Sequence, residues 1–137
     1  MPALLNETVE TALHLLEKNG CLVPFCKARS KRDEPLVFMW NVGEGEGPIL
    51  SDEIDKGVAS IWAELRRQIE SGNIREFAFC SDAEVKFQNE PEPRRRLKVE
   101  FQDGTPETGV YYFPLKVETG RAEVGRYVVA DVVEKLL

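Results

Sequence analysis

Between Ile54 and Ile69, the apolar side chains recur at the spacing of an α-helix. They stand four, seven, eight, eleven and fifteen residues after the first of them, on one stripe that must be buried. From Ile74 onward, apolar and polar residues alternate, as in a β-strand with one wet face. The change of period predicts a helix followed directly by strands, and so an α+β fold. The stripe consists of Ile54, Val58, Ile61, Trp62, Leu65 and Ile69.

The same two periods predict the other elements. A first helix is expected at Ala3–Asn19, because Gly20 can adopt the left-handed conformation that closes helices. The last ten residues, VVADVVEKLL, suggest a terminal helix, although their valines favour extended backbone. A short strand can follow Gly120. The five main strands are predicted at 21–30, at 36–42, from 74 onward, at 97–102 and at 110–117.

The resulting order is α-β-β-α-β-β-β, with or without a final helix. It predicts a single α+β domain over residues 1–137, with a five-stranded antiparallel sheet and two to three helices packed on one face. One such arrangement has the strand order 2-1-5-4-3, and in this layout the chain resembles profilin-like and Roadblock domains. A shared layout does not carry a shared function.

Three short segments, LLEKNGCLVPF, VEFQDG and VYYFPL, are similar to a layout found in small uncharacterised bacterial α+β proteins. In that layout a helix ends in a Gly-x-x-x-Pro-Phe-like strand, a later strand ends in an acidic-x-x-Asp-Gly turn, and the next strand carries aromatic-Pro. The resemblance implies no activity. The matching residues are Gly20, Pro24, Phe25, Glu100, Asp103, Gly104, Tyr112 and Pro114.

The chain is acidic, with 24 Asp and Glu against 18 Lys and Arg and a net charge of −6. Phosphate backbones and anionic lipids repel such a chain, so we expect neither nucleic acid nor a membrane as partner. A basic protein partner is compatible with this charge. The N-terminus lacks the basic and apolar regions of a signal peptide, and no run approaches about 18 apolar residues. We therefore expect a cytoplasmic protein.

The three cysteines are expected to be free and structural. Cys21 and Cys26 are five residues apart in an extended segment, so their Cα atoms would be roughly 16 Å apart, too far for a disulfide. A zinc site needs about four ligands, and a nucleophilic thiol needs a base, for which only His14 is present. We expect no catalytic residue, no cofactor and no metal.

Three further patterns suggest chemistry, and a simpler explanation is preferred for each. His14 has Glu10 and Glu17 as helical neighbours, but no second such group exists to complete a metal site. The GEGEG run at 43–47 resembles a phosphate loop, yet its glutamates would repel phosphate, which favours an acidic loop. The basic run Arg94–Lys98 is flanked by acidic residues, which favours a solvated hairpin end over an anion site.

In the second and fifth strands both the odd and the even positions are apolar, so each strand has apolar side chains on both faces. A second element must therefore cover the face that the helices leave open. The terminal segment would cover it within one chain. Otherwise these strands would leave a large apolar patch, and a homodimer would bury it at a sheet edge. Trp62 is expected to be a core anchor rather than a binding residue. The predicted interface residues are Leu36, Phe38, Met39, Trp40, Tyr111 and Phe113.

The leading functional hypothesis is a non-enzymatic protein-interaction module. One alternative is an antidote-like or immunity-like binder of a basic partner, which the net charge favours. Another is a small-molecule binder or enzyme with a pocket between helix and sheet near Cys26, Tyr111 or Tyr112.

Overall fold

Two helices and seven strands are formed by the residues that the computed structural model describes, which are 1–40 and 51–137, excluding the side chains of Ser51 and Asp52. Helix α1 spans Ala3–Asn19 and helix α2 spans Ser51–Glu70. The α+β class and the antiparallel sheet are therefore confirmed. The strands are β1 (Phe25–Ser30), β2 (Pro35–Met39), β3 (Ile74–Val85), β4 (Arg94–Gln102), β5 (Gly109–Glu118), β6 (Arg121–Val124) and β7 (Val128–Ala130).

Helix α1 has the bounds that its apolar period predicts. It ends at Gly20, which has φ 75° and donates its N–H to the carbonyl of Leu16 at 2.8 Å. A side chain would strain this left-handed backbone, so glycine is favoured here. The buried stripe of the helix consists of Leu4, Leu5, Thr8, Val9, Ala12 and Leu16.

The sheet is antiparallel, with neighbours in the order β2-β1-β3-β4-β5-β6. Strand β7 pairs with the first half of β5, and β6 pairs with its second half. The predicted order 2-1-5-4-3 is wrong, because β3 and not β5 lies beside β1. A central strand needs apolar side chains on both of its faces, and all four residues from Phe77 to Cys80 are buried.

The two helices pack on opposite faces of the sheet, so the prediction that they share one face is wrong. Phe25 and Cys80 are cross-strand partners and pack with α1. Cys26 and Phe79, the next pair along the same strands, pack with α2. Because successive side chains of a strand point to opposite faces, each helix covers every second side chain of β1 and β3.

The C-terminal segment is not helical, and it raises the strand count above the predicted five. Val128–Ala130 form β7 against Val110–Tyr112, and the residues after β7 are irregular. β-branched valines favour extended backbone, which explains why the predicted terminal helix is wrong. The end of the chain then packs on the α2 face, where Leu136 and Leu137 contact the core.

Trp62 is half-buried rather than enclosed. Its ring stacks on Phe79 with centroids 4.7 Å apart and meets Phe77 edge-on at 5.8 Å. One face of the indole thus anchors α2 to β3, while the rest of the ring borders an open cleft. Trp62 therefore belongs both to the core and to a candidate site.

Candidate binding sites

The structure does not bring the six predicted interface residues together on one surface. Tyr111 and Phe113 are only 4% and 3% exposed and lie in the core beneath α1. Leu36, Phe38 and Trp40 are half-buried against α2. Met39, by contrast, is 60% exposed. Val37, whose side chain points to the same side of β2, is 55% exposed and lies between the predicted residues Leu36 and Phe38.

The outer edge of β2 carries backbone groups that β1 does not use. In the tight turn that joins the two strands, the N–H of Ser30 donates to the carbonyl of Glu34 at 2.9 Å. With the observed register, hydrogen-bonded pairs then fall at every second position, so the N–H and C=O groups of Val37 and Met39 point away from β1. Pro35 shares this parity, and its missing N–H therefore faces outward.

A groove of about 520 Å³ runs between this edge and α2. Gly57 lies at its base, and Trp40 occupies the space that a side chain at this position would need. The groove continues the exposed apolar surface of Val37 and Met39 toward the helix. It is lined by Val37, Phe38, Met39, Trp40, Gly57, Ser60, Ile61 and Glu64.

A second site is the cleft on the α2 face of the sheet, between α2 and the C-terminal segment. It consists of two adjoining cavities of about 320 and 180 Å³, which share Trp62 and Glu100. Phe79, Ser81 and Lys98 form the floor of the smaller cavity. The larger one is bounded by the C-terminal segment at Val133, Glu134 and Leu136 and by Arg66 of α2.

The cleft lies between two of the positions at which a helix–sheet pocket is predicted. Its floor residue Phe79 is the cross-strand partner of Cys26, and Lys98 is the partner of Tyr112. Tyr111 points to the opposite face, toward α1.

Glu100 is the most unusual group in the cleft. Its cross-strand partners are Phe79 and Val110, both apolar. Burial raises the pKa of this carboxyl above its ordinary range, opposed by the hydrogen bond of 3.1 Å that Gln102 donates to it and by the nearby charges of Lys98 and Arg66. The pattern LKVEFQ predicts a wet face for these polar residues. Their role depends on the register and on the path of the C-terminal segment, which the sequence pattern does not contain.

Two of the three cysteines lie in the core, where structural thiols are expected. Cys26 and Cys80 are fully buried on opposite faces of the sheet, and burial raises the pKa of both thiols, which makes them poor nucleophiles. Cys21 is exposed, whereas a structural thiol is expected to be buried or half-buried. All three are free, as predicted.

The arginines of the β3–β4 hairpin are engaged by carboxylates. Arg96 is 5% exposed, pairs with Glu90 at 2.7 Å and lies over the ring of Phe87 at 4.1 Å. Arg94 also pairs with Glu90, at 3.1 Å, and Arg95 pairs with Asp82. These contacts explain the run Arg94–Arg96 as a clamp on the hairpin.

The ridge of His14, Glu10 and Glu17 lies on the exposed side of α1. Within residues 1–40 and 51–137, no three metal-ligating side chains come together. The GEGEG prediction at 43–47 lies outside the described residues. No helix in the described part of the chain is long and apolar enough to cross a membrane.

Three comparisons with known proteins were made: a scan against protein-family models, a search of curated proteins and a search of solved structures. None of the three found a match.

Proposed function

We propose that this chain is a protein-interaction module that acts through the outer edge of β2, and that it forms a homodimer by pairing β2 with β2 of a second copy. The carrying observation is the exposure of Val37 and Met39 on an edge strand whose outward backbone groups have no strand partner among the described residues. An edge of this kind is a template for another strand.

The residues of β2 suit a two-fold axis at Val37. Antiparallel pairing would place Val37 opposite itself and Pro35 opposite Met39. Each Val37 N–H would then donate to the Val37 carbonyl of the other copy, and each Met39 N–H to a Pro35 carbonyl. The missing donor of Pro35 costs one hydrogen bond per copy, so four would join the two strands.

The side chains support the same pairing on both faces. On the α2 face, Leu36 of one copy would meet Phe38 of the other, extending the core against which both half-buried residues pack. On the α1 face, Val37 would meet Val37 of the other copy, and each exposed Met39 would lie opposite Pro35 of the other copy. A dimer would thereby remove from water the apolar groups that the edge exposes.

Strand β2 is preferred over the other edges for its length. Its five residues offer more outward backbone groups than the three of β7 or the four of β6. The interface is nevertheless small, at the low end of the size range of specific protein–protein interfaces.

The mass in solution tests this proposal. Light scattering on a size-exclusion column should give a dimer for the wild type and a monomer for Val37→Lys, because two like charges would meet on the axis. Val128→Lys is the matched control, since Val128 on β7 is 53% exposed against 55% for Val37, and it should remain dimeric. A wild-type monomer at tens of micromolar, or a dimer that only Val128→Lys dissociates, would overturn the proposal.

A further inference from the structure

The floor of the α2-side cleft presents two opposite charges on one strand. Lys98 and Glu100 are two residues apart on β4 and share a face, so their Cα atoms are roughly 7 Å apart. Glu100 receives one hydrogen bond, from Gln102, and the described residues supply neither group with an ion pair. Both charges therefore have bonding capacity left for a ligand.

Beside these charges stands an apolar wall. The indole of Trp62 borders both cavities, and Val58 and Phe79 line the smaller one. The stack of Trp62 on Phe79 fixes the position of the indole relative to the sheet. A cleft with an apolar wall and a few convergent polar groups is the usual form of a small-molecule site. Lys98 lines only the smaller cavity of about 180 Å³, so a bound molecule would extend past Trp62 and Glu100 into the adjoining cavity of about 320 Å³.

The charged side chains of the cleft indicate which charges a ligand should carry. Arg66 and Glu134 face each other at the mouth with a separation of 3.2 Å, and Lys98 and Glu100 balance each other on the floor. A ligand with a single charge would satisfy one floor group and face a like charge on the other. A ligand with both charges close together would satisfy both.

We propose that this cleft binds a small zwitterion with an apolar side chain, an α-amino acid of the size of leucine or phenylalanine. Its carboxylate would bind the Lys98 ammonium, its ammonium would bind the Glu100 carboxylate, and its side chain would pack against Trp62 and Phe79. The hydroxyl of Ser81, cross-strand from Lys98, is a further donor for the ligand carboxylate. The site is separate from the β2 edge and does not depend on dimer formation.

The partial burial of the Glu100 carboxylate, which costs free energy of desolvation in the protein without ligand, supports this assignment. A carboxylate between two apolar cross-strand neighbours is partly stripped of water before any ligand arrives. A ligand ammonium would add the charge-assisted hydrogen bonds that the carboxylate lacks, and preorganised charges of this kind favour binding.

The test uses the full-length chain and three probes that share a phenyl group. L-phenylalanine has both charges, phenethylamine lacks the carboxylate, and 3-phenylpropionate lacks the ammonium. Amide and indole shifts in heteronuclear NMR, followed to millimolar probe, should move for L-phenylalanine at the Trp62 indole and along residues 98–100. Each single-charge analogue should bind about tenfold or more weakly, because one charged hydrogen-bond group is lost.

Variants locate the binding to the two charges. Lys98→Met and Glu100→Gln should each weaken the binding of L-phenylalanine about tenfold or more. Lys86→Met, at an exposed position just after β3, should leave the Kd unchanged. The folded state of each variant is checked by its amide spectrum without ligand. Equal binding of phenethylamine and L-phenylalanine, absence of shifts for all probes, or shifts centred away from Trp62 would each overturn the proposal.

Discussion

The side-chain carbonyl of Gln102 accepts a hydrogen bond of 2.8 Å from the backbone N–H of Leu136. The amide of the same side chain donates to the backbone carbonyl of Glu134 at 2.9 Å. Gln102 is fully buried, so these bonds form away from water. One glutamine of β4 thus fixes the end of the chain along the α2 face and shapes one wall of the cleft.

We predict that Gln102→Leu lowers the free energy of unfolding by about 1–3 kcal/mol, because it keeps the volume and leaves two backbone groups without partners. Gln88→Leu, at an exposed position, should change it by about 0.5 kcal/mol or less. Urea titration measures both. Equal effects of the two substitutions would show that Gln102 does not hold the C-terminal segment.

We predict that Glu100→Gln stabilises the protein at pH 7, and that this gain disappears at acidic pH. Burial raises the pKa of Glu100 in the folded state, so the folded chain binds more protons than the unfolded one above about pH 4.3. The free energy of unfolding then falls as the pH rises from the unfolded pKa of this carboxyl to its raised folded pKa, and it stays lower above that pKa. Glutamine resembles the protonated carboxyl and avoids this loss.

Urea titrations at pH 4 and pH 7 measure the effect. Glu118→Gln, whose side chain is 63% exposed on β5, serves as the control and should show no comparable gain at neutral pH. A larger gain for Glu100→Gln at pH 4 than at pH 7 would contradict the sign of the shift.

The helices and most strands could be predicted because their apolar residues follow simple periods. The stripe from Ile54 to Ile69 and the cap at Gly20 are local features, and local features survive in the fold. The pairing of β3 with β1 is not local. This pairing depends on two cores, one on each face of β3. The sequence alone shows only that all four residues of Phe77–Cys80 are apolar, so that both faces of this strand are apolar.

The candidate sites were only partly visible in the sequence. The doubly apolar β2 pointed to an interface, but the pattern could not separate the residues beneath α2 from exposed Val37 and Met39. The alternating pattern of β4 predicts solvent-exposed positions for Lys98 and Glu100. Their place in a cleft depends on the C-terminal segment, in which Val128 and Val129 lie in β7 and Val133, Glu134 and Leu136 line the cleft.

We predict that Arg96 and Arg94 differ sharply although both pair with Glu90. Arg96→Met should lower the free energy of unfolding by about 1–3 kcal/mol, because Arg96 is buried and its loss leaves the Val85 carbonyl without its donor and removes the shorter of the two ion pairs of Glu90. Arg94→Met should cost about 0.5 kcal/mol or less, since the Arg94 side chain is 70% exposed. Thermal or urea unfolding compares them, and similar losses would contradict the proposed clamp.

We predict that Trp62→Ala lowers the free energy of unfolding by about 3 kcal/mol, the lower end of the usual range for Trp truncation in a core. The ring is half-buried, so it loses its stack on Phe79 and its edge contact with Phe77 but little enclosed volume. Trp62→Phe should restore part of the loss. An unchanged stability for Trp62→Ala, measured by urea titration, would mean that α2 is not anchored there.

The most direct test of β2 pairing is a cross-link on the proposed axis. In a hydrogen-bonded antiparallel pair, Cα atoms are about 5.5 Å apart, within the range of a disulfide. We predict that Val37→Cys, made with Cys21→Ser to remove the exposed native thiol, forms a covalent dimer under mild oxidation. Val128→Cys in the same background should remain largely a monomer on a non-reducing gel. Equal cross-linking at the two positions, or none at Val37→Cys, would contradict the proposed dimer.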